Sequence, residues 1–352
     1  MAPLDNAVIP KGSLVLVTGA NGLLGSHVAK QFLEYGYKVR GAVRDTTKSS
    51  WMLELFQKDY GKDSFELIQV DDLTAKGAFD EAVKGNIEKG AAAVIHTASI
   101  MTFNPDPSKV IPFAVDFAVN ALRAAYKEPS VKRFIFTSSS TAAVIPSPDS
   151  PPANITEESW TDFIVAAAWA DPPYTRERAM VTYAASKNQA EKAVWEYHRE
   201  NRRERPDLTV NTVLPNFNFG RSLDREKQGY PSSSGLAPSL FRGEVSDFHK
   251  GITPQYFIAV DDAGRLHVAA AILPGLEDQR IFGFAGRFNW DAVLDIFRKH
   301  FPERTFPDNF SSGEDGNEII PRGKAEQLLR DLGRPGWTSL EESILANIEG
   351  LY

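Results

Sequence analysis

The chain has 352 residues, 42% of them hydrophobic and 24% charged, a globular composition that excludes disordered and collagen-like chains. Acidic residues number 46 against 39 basic, a formal net charge of −7, so bulk charge offers no footprint for duplex nucleic acid. Cysteine is absent, which removes disulfides, thiolate metal sites and cysteine nucleophiles together.

The N-terminal MAPLDNAVIPKGS lacks the apolar core of a signal peptide. No apolar stretch approaches the roughly 20 residues of a membrane helix. A cytoplasmic protein without membrane or nucleic-acid partners is expected. At roughly 100–200 residues per domain, the length fits two or three domains, or one large α/β unit with a lobe.

In chain order, residues 14–18 form a continuous β-rich run, followed by a glycine-containing turn and an amphipathic helix over 23–35. Gly36 stops that helix. Strands are predicted over 38–43, 65–70, 92–96, 134–138 and 209–214. Helices are predicted over 51–60 and 110–126, and from Tyr183 to just before Pro206. Four more are expected at 262–272, 290–300, 324–332 and 339–348. Unbroken apolar strands alternating with helices predict a Rossmann-type, doubly wound parallel sheet covered on both faces, with a smaller C-terminal substrate-binding lobe. The expected division is 1–215, with 255–285 returning to it, against a lobe of 216–254 and 286–352. Segments 146–173, with one short helical piece after Thr156, and 221–251 follow strands and are rich in Pro, Ser, Asp or Gly. They read either as substrate walls beyond the strand ends or as surface insertions.

Thr18-Gly19-Ala20-Asn21-Gly22-Leu23-Leu24-Gly25 lies between the first strand and the first helix. Gly19 permits the tight turn, Gly22 a close approach of backbone to a pyrophosphate, and Gly25 close helix–strand packing. The helix N-terminus offers free N–H groups to the phosphates. A nucleotide site is expected here. The second strand ends at Arg44 rather than at an acid, so NADP(H) is expected, with Arg44 on the 2′-phosphate and Lys48 as helper. Asp45 is the counter-argument, since it could hold a ribose hydroxyl. Asp72 could take the adenine amino group or cap a helix beginning near Thr74.

Tyr183 and Lys187, spaced i, i+4, share one helix face. An ammonium one turn away would lower the phenol pKa and make Tyr183 a usable acid or base. The fifth strand ends in Thr137-Ser138-Ser139-Ser140, whose hydroxyls would face the same crevice. The scattered histidines, such as His96 and His267, read as structural, so no metal is expected. No Gly-x-Ser-x-Gly elbow exists, which disfavours a hydrolase.

Together these motifs, with Leu214-Pro215-Asn216 and the phrases VKRFIFTSS and LGRPGW, resemble the extended short-chain dehydrogenase/reductase superfamily. The likeness covers nearly the whole chain and is greatest to the dihydroflavonol reductase-like branch, especially its fungal NADPH-dependent aldehyde and carbonyl reductases. It implies a catalytic set of Ser139, Tyr183 and Lys187. It implies cofactor contacts from Gly19, Asn21, Gly22, Leu23, Gly25, Arg44, Lys48, Asp72, Leu73, Ala98, Pro215 and Asn216. The implied reaction is hydride transfer from NADPH to an aldehyde or ketone, with Tyr183 delivering the proton. Ile100, Met101, Phe103, Ser140, Leu236, Pro238 and Phe241, with Tyr174 a weaker candidate, are expected to line a mostly apolar pocket for a small carbonyl substrate. A hydroxysteroid, dihydroflavonol or sugar-nucleotide enzyme on the same fold, or a non-catalytic NADP sensor, are the alternatives, and a homodimer is left open. Ala114 stands where many relatives carry a catalytic Asn, with Asn120 further along and Phe117 in place of a small residue.

Overall fold

The computed structural model describes residues 6–85, 90–100, 102–147 and 151–352. Met101, expected in the pocket, lies outside the described residues. The strands are β1 (Leu14–Thr18), β2 (Lys38–Val43), β3 (Phe65–Gln69), β4 (Ala93–His96), β5 (Arg133–Thr137), β6 (Asn154–Ile155), β7 (Thr209–Pro215), β8 (Phe217–Phe219), β9 (Gln255–Ala259), β10 (Arg280–Gly283), β11 (Gly286–Phe288) and β12 (Glu318–Ile319). The α-helices are α1 (Leu23–Glu34), α2 (Trp51–Tyr60), α3 (Ile111–Lys127), α4 (Asp162–Ala168), α5 (Arg178–Asn201), α6 (Leu236–Phe241), α7 (Asp247–Gly251), α8 (Val260–Ile272), α9 (Trp290–His300), α10 (Arg322–Asp331) and α11 (Leu340–Ile348).

Seven parallel strands form one sheet in the order β10–β7–β5–β4–β1–β2–β3. This is the expected Rossmann-type α/β fold. Val15, Leu16 and Val17 of β1 are fully buried, which explains an unbroken apolar strand: both sheet faces are covered. Helices α1 and α8 pack on one face with α2 and α10. Helices α3 and α5 pack on the other. Chain order reverses between β1 and β4, so a crevice opens beyond their carboxyl ends. The register sets Thr18 beside His96 and His96 beside Phe136, so the functional strand ends share one edge.

Of the returning segment 255–285, α8 and β10 join the large sheet layer, whereas β9 pairs with β8 and β11 in a separate three-stranded sheet. That small sheet, with α6, α9 and α11, surrounds an aromatic cluster containing Phe219, Phe241, Phe288, Trp290 and Phe297. Strands β6 and β12 pair in parallel and tie the segment after 151 to residues 318–319.

Two local expectations are corrected. The helix expected near Thr74 is a run of turns. Gly77 adopts φ +80°, and the Asn120 amide takes the carbonyls of Leu73, Thr74 and Ala75 at 3.3, 2.9 and 3.2 Å. Those acceptors would otherwise feed a helix. The long helix starts at Arg178, so Tyr183 sits in its second turn rather than at its start.

Candidate active site

Between β1 and α1 the chain makes its tight turn at Gly19, with φ +63° and its N–H donating to the Ala42 carbonyl at 2.9 Å. A Cβ on Gly19 would sit 2.8 Å from the Ala98 Cα, and one on Gly25 would sit 2.2 Å from the Gly19 carbonyl oxygen. Both positions therefore exclude any side chain. Gly22 is the N-cap of α1 and brings no side chain to its N–H groups, leaving them available to an anion. Leu23 is buried beneath the turn. The Asn21 amide donates to the Ser49 hydroxyl at 3.1 Å, joining this turn to the loop that follows β2.

Arg44 emerges from that loop exposed and makes no ion pair among the described residues. Asp45 is committed locally: it accepts from the Lys48 N–H at 3.0 Å and pairs with the Lys48 amine at 3.4 Å. These bonds hold its carboxyl below the ordinary range, the Lys48 backbone bond contributing most. A locally bonded acid beside an unpaired guanidinium suits a phosphate better than a ribose hydroxyl. Asp72 likewise caps its own turn, accepting from the Thr74 N–H at 2.9 Å and hydroxyl at 2.5 Å. Asn120 anchors the following turn rather than facing the strand-end crevice.

The strand ends build a buried polar floor. The Thr18 hydroxyl bonds His96 Nδ1 at 2.9 Å and receives the Ala98 N–H at 3.2 Å. His267 Nδ1 donates to the Ala263 carbonyl at 2.7 Å, so its Nε2 accepts the Thr137 hydroxyl at 2.8 Å. Burial pushes His96 down to about 3 and His267 to about 4, keeping both neutral.

Ser139 follows β5 and caps the single helical turn Ser140–Ala142. Its oxygen accepts from the Thr141 N–H at 3.3 Å and hydroxyl at 3.0 Å. Its own proton is thereby free to donate. Ser140 is buried inside the turn. Tyr183 and Lys187 reach the same place from α5. Burial raises the Tyr183 phenol above its ordinary value, and the bond with Ser139 pulls it back. The expected net lowering of the phenol is thereby corrected: burial outweighs the lowering influences and the direction is upward. The Lys187 amine instead donates to the Thr137 carbonyl at 3.2 Å. Burial lowers Lys187 to about 8, with Glu191 pulling upward.

Beyond the floor the walls are apolar. Ile100 is half-buried, and Phe103 is exposed in a left-handed conformation, φ +46°, with its ring 5.7 Å from that of Tyr183. Such a backbone is costly for a bulky residue, and its place beside the phenol marks a held position. Phe248 of α7, which the sequence did not single out, is exposed with its ring 6.4 Å from that of Phe103. Its signal was one aromatic in an otherwise polar segment.

Phe241 is a correction: it is buried in the lobe against Phe297 at 5.2 Å and Phe301 at 4.9 Å, with Arg304 4.2 Å above its ring. One turn of α6 points residues 237, 240 and 241 inward, so Phe241 is core rather than wall. Pro238 is also buried, and Leu236 packs against the same cluster. Tyr174 lies exposed beneath the Arg178 guanidinium at 5.2 Å.

At the end of β7, Pro215 lies beside Gly283 and Asn216 is buried. The Asn216 side-chain Oδ1 accepts from the Phe217 N–H at 2.7 Å, while its Nδ2 has no partner. A buried unpartnered donor at a cleft floor asks for an acceptor from a ligand. A further unforeseen residue is Gln228, whose amide reaches the Gly22 carbonyl at 3.2 Å and the Ser26 hydroxyl at 3.0 Å. It straps the long loop to the phosphate turn. The side-chain-free turn, the uncapped helix end, Arg44 and Asn216 Nδ2 together fit a phosphorylated dinucleotide.

The family described as "NAD dependent epimerase/dehydratase family" matches residues 15–271. Aldehyde reductase 2 of Sporidiobolus salmonicolor is 43% identical over 345 residues, covering 98% of this chain and 97% of its own. A ketoreductase of Aspergillus novofumigatus, nvfG, is 33% identical, covering 97% of each chain. Among solved structures, Gre2 of Candida albicans in complex with NADPH superposes with a TM-score of 0.80 at 26% identity, over 96% of this chain and 98% of that one. Among the described residues no helix is long and apolar enough to cross a membrane. The chain belongs to the NAD dependent epimerase/dehydratase family, the extended short-chain dehydrogenases/reductases.

Proposed function

We propose that this protein reduces aldehydes and ketones to alcohols with NADPH, and that Tyr183 donates the proton. The observation that carries the proposal is the bond between the Ser139 hydroxyl and the Tyr183 phenol at the end of β5, where the Lys187 amine takes the Thr137 carbonyl. The names of the relatives support it: an aldehyde reductase, a ketoreductase and a protein, Gre2, solved in complex with NADPH.

Gly19, Gly22 and Gly25 admit the pyrophosphate to the α1 N-terminus. Arg44, with Lys48 beside it, takes the 2′-phosphate. Asp72 and Leu73 border the adenine, Ala98 closes the turn from β4, and Asn216 Nδ2 finds its acceptor. Bound there, NADPH supplies a hydride. The Ser139 and Tyr183 hydroxyls are the donors that would share a substrate carbonyl oxygen and stabilise the charge that grows on it, typically the largest catalytic contribution. A phenol held protonated by burial is in the correct state to give its proton to an alkoxide. The Lys187 ammonium favours the phenolate left behind. Phe103, Phe248 and Ile100 make an apolar mouth suited to alkyl and aryl carbonyls. The division into 1–215 and a lobe of 216–254 and 286–352 is proposed with the cleft between them; of 255–285, α8 and β10 return to the large sheet while β9 stays with the lobe's small sheet.

The test follows NADPH and NADH depletion across aldehydes, β-keto esters and aryl ketones, with chiral analysis of the alcohols. NADPH consumption matched one-to-one by alcohol is expected. A panel that consumes neither cofactor overturns the proposal.

A further inference from the structure

Helix α5 carries a third polar residue on the face of Tyr183 and Lys187. Glu191 follows Lys187 by one turn, at i, i+4, and is fully buried. Buried carboxylates are tolerated only when paired and hydrogen-bonded. Glu191 meets that demand with donors from three strands or strand ends. Ser138, directly before Ser139, donates its hydroxyl at 2.6 Å. Thr212 of β7 donates at 2.9 Å. Arg280 of β10 donates through Nε at 2.8 Å and Nη2 at 3.3 Å. Trp195, one turn on, adds its indole N–H at 3.3 Å. The Arg280 guanidinium also holds the Glu157 and Ser159 carbonyls and stacks on Trp160, 3.8 Å from its centroid.

The consequence is mechanical and electrostatic. Ser139 and Tyr183 stand on different elements, so their separation depends on how α5 docks on the end of β5. The bond between Glu191 and Ser138 is made at that junction. Facing Lys187 are Tyr183 and Glu191 on its own helix, His96 from β4, and Thr137 with His267 behind it. Both histidines are held neutral, leaving Glu191 as the anion facing Lys187 among the described residues. Arg280 faces Glu191 from β10.

We propose that Glu191 is a positioning residue of the reaction: locked by Arg280, it fixes the catalytic helix to the strand end bearing Ser139 and presents a fixed negative charge to Lys187. This inference rests on the proposed Ser139–Tyr183–Lys187 chemistry.

The test measures kcat and KM for Glu191→Gln, Ser138→Ala and Tyr183→Phe in the full chain, from about pH 6 to about pH 10, with NADPH and the best carbonyl of the panel. Neutralising Glu191 leaves two buried cations, and Lys187 is the one that can shed its proton. In Glu191→Gln, kcat is expected to fall about tenfold to a hundredfold with NADPH still saturating, and the alkaline loss of activity to move to lower pH. A merely structural residue would not move that limb. Ser138→Ala is expected to lower kcat less and leave the limb in place. Native kcat and an unmoved limb in Glu191→Gln overturn the inference. If that variant does not fold, Ser138→Ala decides, with reduced kcat at unchanged KM supporting the tether and native kcat overturning it. Near-native turnover by Tyr183→Phe overturns the underlying chemistry as well. An inactive Tyr183→Phe beside a native Glu191→Gln overturns the role of Glu191 alone.

Discussion

The carboxyl edge of the seven-stranded sheet and the interior of the lobe are both buried, but with opposite chemistry. At the sheet edge the buried groups are Thr18, His96, Thr137, Ser138, Lys187, Glu191 and His267. Nearly every polar atom there has a partner, and each partner fixes a direction. In the lobe the buried groups are rings: Phe219, Phe241, Phe288, Trp290 and Phe297 pack with centroids about 5–6 Å apart. Apolar packing is non-directional and tolerates repacking, whereas a buried hydrogen-bond network fails when one member is lost. The first region is therefore built to aim donors, the second to hold a scaffold. Damage should separate accordingly, with activity lost at the edge and stability lost in the lobe.

The largest effect is expected at the phosphate turn. Gly25→Val places side-chain atoms where a Cβ alone lies 2.2 Å from a backbone oxygen. NADPH titration by fluorescence should show binding abolished and turnover with it. Retained binding would mean that the turn relaxes and does not cradle the phosphates. Next, Phe241→Ala should cost about 3–5 kcal/mol in denaturant unfolding, while the fraction that remains folded keeps its KM. An altered KM with native stability would return Phe241 to the pocket wall. Third, Arg44→Ala should weaken NADPH by about tenfold to a hundredfold and leave NADH affinity unchanged. Equal losses for both cofactors would remove Arg44 from the 2′-phosphate.

The pH profile sharpens the same contrast. Lys187 is lowered to about 8 in the fold, against about 10.4 in an unfolded chain. Between those values the unfolded state holds more protons, so the Lys187 contribution to stability rises with pH. Activity should move the other way and fall as pH rises through about 8, because the ammonium is lost. A rate that stays flat through that range would show that the charge on Lys187 is not used.

The edge was far more legible from sequence than the lobe, for physical reasons. Glycines at positions 19, 22 and 25 after a continuous apolar strand are a local pattern, and the i, i+4 pair of Tyr183 and Lys187 is local too. The three-stranded sheet joins β8, β9 and β11 across long separations, through strands as short as three residues, and such runs carry no periodicity. Phe241 was misplaced because an apolar residue in a long loop reads the same whether it faces a cleft or a core. The partnership of Glu191 with Arg280 spans 89 positions, and nothing short-range announces it. Asn120 shows the converse: a residue considered for chemistry is spent on three backbone carbonyls.

The proposed chemistry has aimed hydroxyls at the sheet edge deliver a proton to a carbonyl oxygen. Tyr183→Phe removes one oxygen and leaves the ring beside Phe103. The decisive measurement pairs steady-state turnover of this variant with its NADPH dissociation constant. The expected result is a kcat reduced about 10²–10⁴-fold with NADPH affinity retained. Carbonyl reduction at near-native rate by Tyr183→Phe would contradict the account.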